Sequence, residues 1–147
     1  LLARLEGHGV HTVVDATRDL LVNVLQYHPF LIKPNNHELG EIVGRTLTTD
    51  ADITAAARTL QEKGARNVLV SMAGDGALLL DEKGEVHRIG TPKGKVVNSV
   101  GAGDSMVAGF VAGYLPALRL GTACGSATAF SLGLAKKEKI DALLATI

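Results

Sequence analysis

A glycine-rich turn at residues 101–103 is the part of the chain whose residue types best suit chemistry. It follows a β-branched run, and Asp104 then opens a stretch with the apolar spacing of a helix. A glycine turn that leads into a helix points several backbone N–H groups, and the positive end of the helix dipole, at one place. We therefore predict a phosphate-binding turn at this position and a helix from about Asp104 to Leu115.

Asp104 creates a conflict at this predicted anion site. A carboxylate is favoured in the first turn of a helix, yet it repels a phosphate bound beside it. The conflict disappears if Asp104 is a general base that takes a proton from a hydroxyl attacking the bound phosphoryl group. The alternative is that Asp104 only caps the helix, as aspartate often does. Spacing alone leaves both interpretations open.

Polar loops follow two of the predicted strands. One loop is Ser71-Met72-Ala73-Gly74-Asp75-Gly76, and the other contains Lys33, Asn35 and Glu38 within the run K-P-N-N-H-E. Ligands of open α/β sheets bind beyond the carboxyl ends of the strands, so both loops are candidates for a nucleotide site. A structural interpretation of the second loop is equally open, with Asn35 capping a helix and Glu38 completing a capping box.

Two common nucleotide motifs are absent from the sequence. No Gly-Lys-Ser/Thr tripeptide exists for a Walker A loop, and residues 101–106 lack the third glycine of G-x-G-x-x-G. The acidic strand end that an NAD-binding Rossmann domain places about 20 residues further on is missing as well. A Rossmann dinucleotide site is therefore the weakest of the functional hypotheses.

Strand-like and helix-like segments alternate along the chain, and they must position these residues. The apolar patterns predict strands at 10–14, 30–32, 68–71, 77–80 and 86–89, and helices at 19–26, 36–43, 50–63, 104–115, 117–132 and 137–146. Asp50 is a candidate N-cap of the third helix and Gly64 its candidate stop. Strands separated by helices indicate parallel βαβ units, so the predicted fold class is α/β.

The composition restricts the classes of function. The 147 residues carry 15 Lys+Arg against 15 Asp+Glu and a single cysteine. A net charge of zero without a basic cluster argues against binding to nucleic acid or to an anionic membrane surface. No apolar run approaches the roughly 20 residues that span a bilayer, so we expect a cytoplasmic protein. The chain has no initial Met and opens on Leu1 within a helix-like pattern.

Taken together, these motifs resemble the pfkB family of carbohydrate kinases, which have the ribokinase-like fold. The run N-S-V-G-A-G-D at residues 98–104 resembles the family's C-terminal signature, commonly D-T-x-G-A-G-D. With the upstream K-P-N-N-H-E it is most similar to the 1-phosphofructokinase and tagatose-6-phosphate kinase branches. The resemblance extends from about Val10 to the end of the chain. It implies a three-layer α/β/α sandwich with a mainly parallel sheet, of which residues 1–147 would be the C-terminal, nucleotide-binding half.

The resemblance also implies roles for the residues of the glycine turn. Asp104 would be the base that deprotonates the sugar hydroxyl. The amides of Gly101, Ala102 and Gly103 would form the anion hole for the γ-phosphoryl group, and Gly103 and Asp104 would border the bound ATP.

The other implied roles concern ATP and Mg²⁺. Lys33 would lie near the nucleotide phosphates, and Asn35 and Glu38 would help to organise Mg²⁺ through water. Residues 71–76 would form the nucleotide loop. Gly125 and Thr128 would line the adenine pocket. Ala73 stands where that loop usually has its first glycine, so a backbone shift is expected there.

The implied reaction transfers the γ-phosphoryl group of ATP to the 6-hydroxyl of fructose 1-phosphate and gives fructose 1,6-bisphosphate, with Mg²⁺ as cofactor. Family members are longer than this chain, so we expect the N-terminal sugar-binding and lid half to be absent and the 147-residue chain to be inactive alone. The complete protein could form a homodimer. Two alternatives remain open, a tagatose-6-phosphate kinase and a non-catalytic nucleotide-binding module.

Overall fold

The computed structural model describes residues 1–113 and 117–147, and the chain divides into two compact units. The first, which we name the sheet unit, comprises Leu1–Met72 and Leu78–His87. The second, which we name the helical unit, comprises Ala73–Ala77 and Arg88–Ile147. The helix end predicted at Leu115 lies outside the described residues.

Five strands form one sheet whose spatial order follows the chain. They are β1 (Val13–Val14), β2 (Leu31–Ile32), β3 (Asn67–Ser71), β4 (Ala77–Leu80) and β5 (Val86–Ile89). Strand β1 pairs in parallel with β2, and β2 pairs in parallel with β3, which confirms the predicted βαβ arrangement. The predictions for β4 and β5 are correct at both ends, whereas β1 is three residues shorter than predicted, because only Val13 and Val14 form the ladder with β2.

Three helices accompany these strands in the sheet unit: α1 (Arg18–Val24), α2 (Asn36–Val43) and α3 (Asp50–Glu62). The prediction for α2 is correct at both ends, and Gly44 ends it in the left-handed conformation, φ +70°. The prediction of Asp50 as the N-cap of α3 is wrong. Thr49 is the N-cap, because its hydroxyl accepts the N–H of Asp52 while the Asp52 carboxylate accepts the N–H of Thr49.

Apolar side chains of these helices and strands form the core of the sheet unit. The larger members of this core are all buried: Leu21, Leu25, Ile32, Leu39, Ile53, Leu60, Val68, Val70, Leu78 and Leu80. Burying a side chain of this size contributes about 1.5–3 kcal/mol. The carboxyl ends of β1 to β3 are thereby held in place by a packed core.

The helical unit contains α4 (Ala102–Ala112), α5 (Ala117–Ala129) and α6 (Lys137–Leu144). Helix α4 begins two residues earlier than predicted, and α5 ends three residues earlier. Helices α4 and α5 pack closely at Gly109, where an added Cβ would lie 2.7 Å from the Sγ atom of Cys124. Burial raises the pKa of the Cys124 thiol, so this thiol stays protonated at neutral pH and serves in packing.

None of the helices among the described residues is long and apolar enough to cross a membrane. This finding agrees with the absence of a long apolar run in the sequence.

Candidate active site

The predicted glycine turn forms the N-terminus of α4. Gly101 is the N-cap and has φ +79°, a left-handed conformation that residues with a Cβ rarely adopt. Its carbonyl accepts the N–H of Ser105 at 2.9 Å and so begins the helix. Ala102, Gly103 and Asp104 therefore occupy the first turn of α4, the part of a helix where backbone N–H groups lack intrahelical partners.

The backbone N–H groups of this turn differ in their availability to a ligand. The N–H of Ala102 donates to the carbonyl oxygen of Ser99 at 3.2 Å. The N–H groups of Gly101, Gly103 and Asp104 donate no hydrogen bond within residues 1–113 and 117–147. Of the three amides expected to form the anion hole, those of Gly101 and Gly103 are therefore open, and the Asp104 amide is a better candidate than that of Ala102.

The side chain of Asp104 is exposed at this helix N-terminus. Its carboxylate makes no hydrogen bond or ion pair with any of the described residues, and it does not accept the N–H of the N-cap, Gly101. The capping interpretation of Asp104 is therefore not realised in the structure. An exposed carboxylate beside open N–H groups suits the proton-accepting role instead.

Helix α5 packs against the same turn through two residues predicted to wall an adenine pocket. A Cβ added to Gly125 would lie 3.0 Å from the carbonyl oxygen of Ala102, a tight contact, so the absence of a side chain at Gly125 favours this close approach. Thr128 is 2% exposed, donates its hydroxyl to Ser105 Oγ at 2.9 Å and accepts the N–H of Ala135. Both residues pack against the first turns of α4. Their contact with adenine stays a prediction.

An ion pair between a buried lysine and an exposed aspartate lies at the carboxyl edge of the sheet in the sheet unit. Lys33 follows β2, is only 7% exposed, and places its Nζ atom 3.3 Å from Oδ2 of Asp15, which follows β1. The register of the strands brings the two together, because Val14 is the partner of Ile32. Sequence reasoning did not select Asp15, although its position directly after a predicted strand at the same edge as Lys33 was a usable signal.

Asn35 and Glu38 form the capping box of α2. The Oδ1 atom of Asn35 accepts the N–H of Glu38 at 2.9 Å, and Oε2 of Glu38 accepts the N–H of Asn35 at 2.8 Å. Asn35 also forms a parallel bridge with Ser71 at the end of β3. The structural interpretation of this pair is therefore confirmed, and the predicted role toward Mg²⁺ stays a prediction.

The donor set at this edge fits Mg²⁺, which prefers oxygen ligands and keeps several waters. Capping uses Oε2 of Glu38 and leaves Oε1 without a hydrogen bond among the described residues. Asn35 Oδ1 already accepts two backbone N–H groups. Glu38, through water, is therefore the stronger of the two candidates for holding the ion.

The predicted nucleotide loop continues from β3 through a short 3₁₀ turn at Ala73–Asp75. Ser71 and Met72 belong to the sheet unit, and residues 73–76 belong to the helical unit. Ala73 has φ +47° and Gly76 has φ +96°. Gly74 has no atom within 4 Å of an added Cβ, and its carbonyl accepts the hydroxyl of Thr91 at 2.6 Å. Ala73 thus adopts the left-handed conformation that glycine adopts most easily.

A groove of the sheet unit lies away from these residues. It has a volume of about 300 Å³ and is lined by residues that include Leu2, Leu5, Tyr27, His28 and Arg66. Arg66 precedes β3, so the groove lies near the amino ends of the strands. None of the residues predicted to bind ATP or Mg²⁺ lines it.

Comparison with known protein families identifies the family of this chain. A family model described as "pfkB family carbohydrate kinase" matches residues 4–140. The chain belongs to the pfkB family of carbohydrate kinases. Among curated pfkB relatives, a 1-phosphofructokinase of Bacillus subtilis is 48% identical over 142 residues, which cover 92% of this chain and 46% of the relative. A D-tagatose-1-phosphate kinase of Bacillus licheniformis is 40% identical over 136 residues, covering 88% and 44%.

Solved structures of the family have the same fold. Phosphofructokinase-2 of Escherichia coli in complex with potassium is 30% identical, has a TM-score of 0.90, and is matched over 99% of this chain and 50% of its own. A ribokinase of Arabidopsis thaliana, solved with ribose and ATP, has a TM-score of 0.84 at 22% identity, over 97% and 50% of the two chains. The ribokinase-like fold is thereby confirmed, and the chain spans about half the length of the pfkB proteins it matches.

Proposed function

We propose that this pfkB kinase transfers the γ-phosphoryl group of ATP to a hydroxyl of a sugar phosphate, and that residues 1–147 carry the nucleotide site and the catalytic base. The observation that carries the proposal is the N-terminus of α4. It combines the open N–H groups of Gly101 and Gly103 with the exposed carboxylate of Asp104, which has no partner among the described residues.

The proposed reaction assigns the proton and the phosphoryl group to separate groups of the same turn. The Asp104 carboxylate accepts the proton of the sugar hydroxyl as its oxygen forms a bond to the γ-phosphorus of ATP. The bond from that phosphorus to the bridging oxygen breaks, and ADP leaves. The N–H groups of Gly101 and Gly103, with the positive end of the α4 dipole, stabilise the negative charge on the transferred group.

Lys33 supplies a positive charge to the triphosphate in this proposal. Its side chain is buried, and its Nζ atom lies 3.3 Å from Oδ2 of Asp15. Asp15 is exposed at this edge of the sheet, whereas the stem of Lys33 is packed in the protein, so the lysine is held in place before ATP arrives. Mg²⁺ would be held through water by Glu38 and Asn35, and when bound it supplies positive charge that screens the phosphates.

Fructose 1-phosphate is the sugar substrate we propose, phosphorylated at its 6-hydroxyl. The Bacillus subtilis relative named 1-phosphofructokinase is more similar to this chain than the relative named D-tagatose-1-phosphate kinase, at 48% against 40% identity. Initial rates with fructose 1-phosphate, tagatose 1-phosphate and tagatose 6-phosphate, measured side by side at equal ATP, test this choice. A higher kcat/KM for either tagatose phosphate would replace the proposed substrate.

The substitution Asp104→Asn in the complete kinase tests the proposed function. It keeps the shape of the side chain and removes its basicity, so we expect ATP to bind normally and turnover to fall by about 10²–10⁴-fold, the contribution of a positioned general base. The measurements are kcat with the sugar phosphate and the Kd of Mg·ATP by calorimetry. Asp19→Asn is the matched control, because Asp19 is also an exposed aspartate in the first turn of a helix, α1.

Two results would contradict the proposed function in different ways. Near-normal turnover of Asp104→Asn would remove the base role from Asp104. Binding of ATP without turnover by the wild-type complete kinase, for any of the three sugar phosphates, would favour the non-catalytic nucleotide-binding module. The 147-residue chain alone is expected to bind nucleotide without turning it over.

A further inference from the structure

The C-terminal end of α5 fixes the segment that leads into the glycine turn. The carbonyl oxygen of Ala129 accepts two N–H groups, from Val97 at 2.8 Å and from Asn98 at 3.1 Å. The Oδ1 atom of Asn98 then accepts the N–H of Val100 at 3.0 Å. The path of the backbone into Gly101 therefore depends on the last carbonyl group of α5, that of Ala129.

A lysine side chain from α6 binds this same end of α5. The Nζ atom of Lys139 donates to the carbonyl oxygen of Phe130 and to Oγ of Ser131, the latter at 2.9 Å. Ser131 donates its hydroxyl in turn to the carbonyl oxygen of Ala127 at 2.8 Å. The ammonium therefore faces the negative end of the α5 dipole, where a cation is favoured.

The charge of Lys139 is used differently from that of its neighbour on the same helix. No carboxylate lies in ion-pair distance of Lys139 among the described residues, and its side chain is half-buried. Lys137, two residues earlier, is 82% exposed and pairs with Asp141 at 2.5 Å. An exposed i, i+4 pair of this kind contributes little to stability, whereas Lys139 joins α6 to the carbonyl groups that end α5.

We propose that Lys139 is a positioning residue for the phosphate-binding turn. Its ammonium completes the C-terminal end of α5, which keeps the Ala129 carbonyl in place to bind Val97 and Asn98, and thereby presents the N–H groups of Gly101 and Gly103 to the phosphate. Lys139 acts through these backbone groups without touching the nucleotide. The inference rests on the proposed function only for its effect on ATP; the effect on the backbone is independent of it.

Loss of this ammonium has a specific physical consequence. The Phe130 carbonyl loses its donor in a half-buried place, and the last turn of α5 gains freedom to unwind locally. The Ala129 carbonyl belongs to that turn, so the N–H groups of Val97 and Asn98 lose protection from exchange with solvent. The turn at Gly101 then samples conformations that do not bind phosphate, which weakens ATP binding by the fraction of time spent in them.

The test compares Lys139→Met with Lys137→Met in the complete kinase. Both variants keep an apolar stem and remove one charge from α6. We expect amide exchange of Val97 and Asn98 to quicken, and the Kd of Mg·ATP to rise, by about tenfold in Lys139→Met, which corresponds to the loss of about 1.4 kcal/mol. Lys137→Met is expected to leave both quantities unchanged. Lys139→Arg, which retains the charge and the donors, is expected to restore most of the protection.

A smaller substitution keeps the proposal testable if Lys139→Met does not fold. Ser131→Ala removes only the hydroxyl that accepts from Lys139, and we expect it to quicken exchange of the same two amides to a lesser degree. Wild-type exchange rates at Val97 and Asn98 in whichever of the two variants folds would overturn the proposal. Equal quickening throughout α4 and α5 would overturn it too, because the role of Lys139 would then be general stability.

Failure of this inference is distinguishable from failure of the proposed function. If the wild-type chain bound no ATP, the proposed nucleotide site would be contradicted, and amide exchange alone would still decide the role of Lys139. If the wild-type chain bound ATP and Lys139→Met bound it equally well with unchanged exchange, only the role of Lys139 would be lost.

Discussion

Two residues with positive φ angles, Ala73 and Gly76, shape the loop at residues 73–76. The left-handed region costs a residue with a Cβ about 1–2 kcal/mol, and Ala73 occupies it with φ +47°. Gly76 has φ +96° and also lacks room, because an added Cβ would lie 2.0 Å from the carbonyl oxygen of Ile89. Ala73 therefore tolerates a side chain where Gly76 does not.

The substitution Gly76→Ala is predicted to destabilise the protein by about 2–4 kcal/mol, the sum of left-handed strain and overpacking. The free energy of unfolding in urea measures this loss. Gly74→Ala is the matched control from the same loop, because an added Cβ there meets no atom within 4 Å. Similar stability of the two variants would show that the backbone approach between Gly76 and Ile89 is looser than the structure has it.

At single residues, contacts between near neighbours in the sequence could be predicted, whereas contacts between distant residues could not. The capping box of Asn35 and Glu38 was open to prediction because its partners are three residues apart. The ion pair of Lys33 with Asp15 joins residues that are 18 positions apart, and it depends on the register of β1 against β2. A sequence indicates which residues follow a strand, but the register that pairs them is set by packing of the whole sheet.

At the scale of elements, helix boundaries were predicted best where strong local signals stand at both ends. Helix α2 has Asn35 before it and Gly44 after it, and both of its ends were predicted correctly. The N-cap of helix α3 was predicted one residue too late, at Asp50, and Thr49 is used because Asp52 completes the capping box with it. Helix α4 begins before Asp104 because Gly101 itself serves as the N-cap.

Helix α5 offers a prediction about buried hydroxyl groups. Thr122 is fully buried, and its Oγ1 atom has no hydrogen-bond partner among the described residues. Thr122→Val replaces this hydroxyl by a methyl group of similar size, so we expect stabilisation of about 1 kcal/mol, read as a rise in Tm.

Thr128→Val is the matched control on the same helix. The hydroxyl of Thr128 donates to Ser105 and accepts from Ala135, so its removal is expected to destabilise by about 1–3 kcal/mol. If Thr122→Val lowered Tm as much as Thr128→Val, the Thr122 hydroxyl would have to hold a partner in the folded protein.

At the scale of the whole molecule, the alternation of strands and helices was enough to predict an α/β class with parallel pairing. The lengths of β1 and β2 were not predictable, because each has only two residues in the ladder and the rest of each apolar run lies outside it. The division into a sheet unit and a helical unit depends on contacts between distant residues, which periodicity does not report.

The measurement that tests the central claim most directly is a titration of the ¹⁵N-labelled 147-residue chain with Mg·ATP, followed residue by residue in NMR spectra. We predict saturable shifts of the amide signals of Gly101, Gly103 and Asp104, with a smaller shift at Ala102, whose N–H already donates to Ser99. Unchanged signals at the N-terminus of α4, or shifts confined to the groove near Tyr27 and Arg66, would contradict the assignment of the phosphate site to this turn.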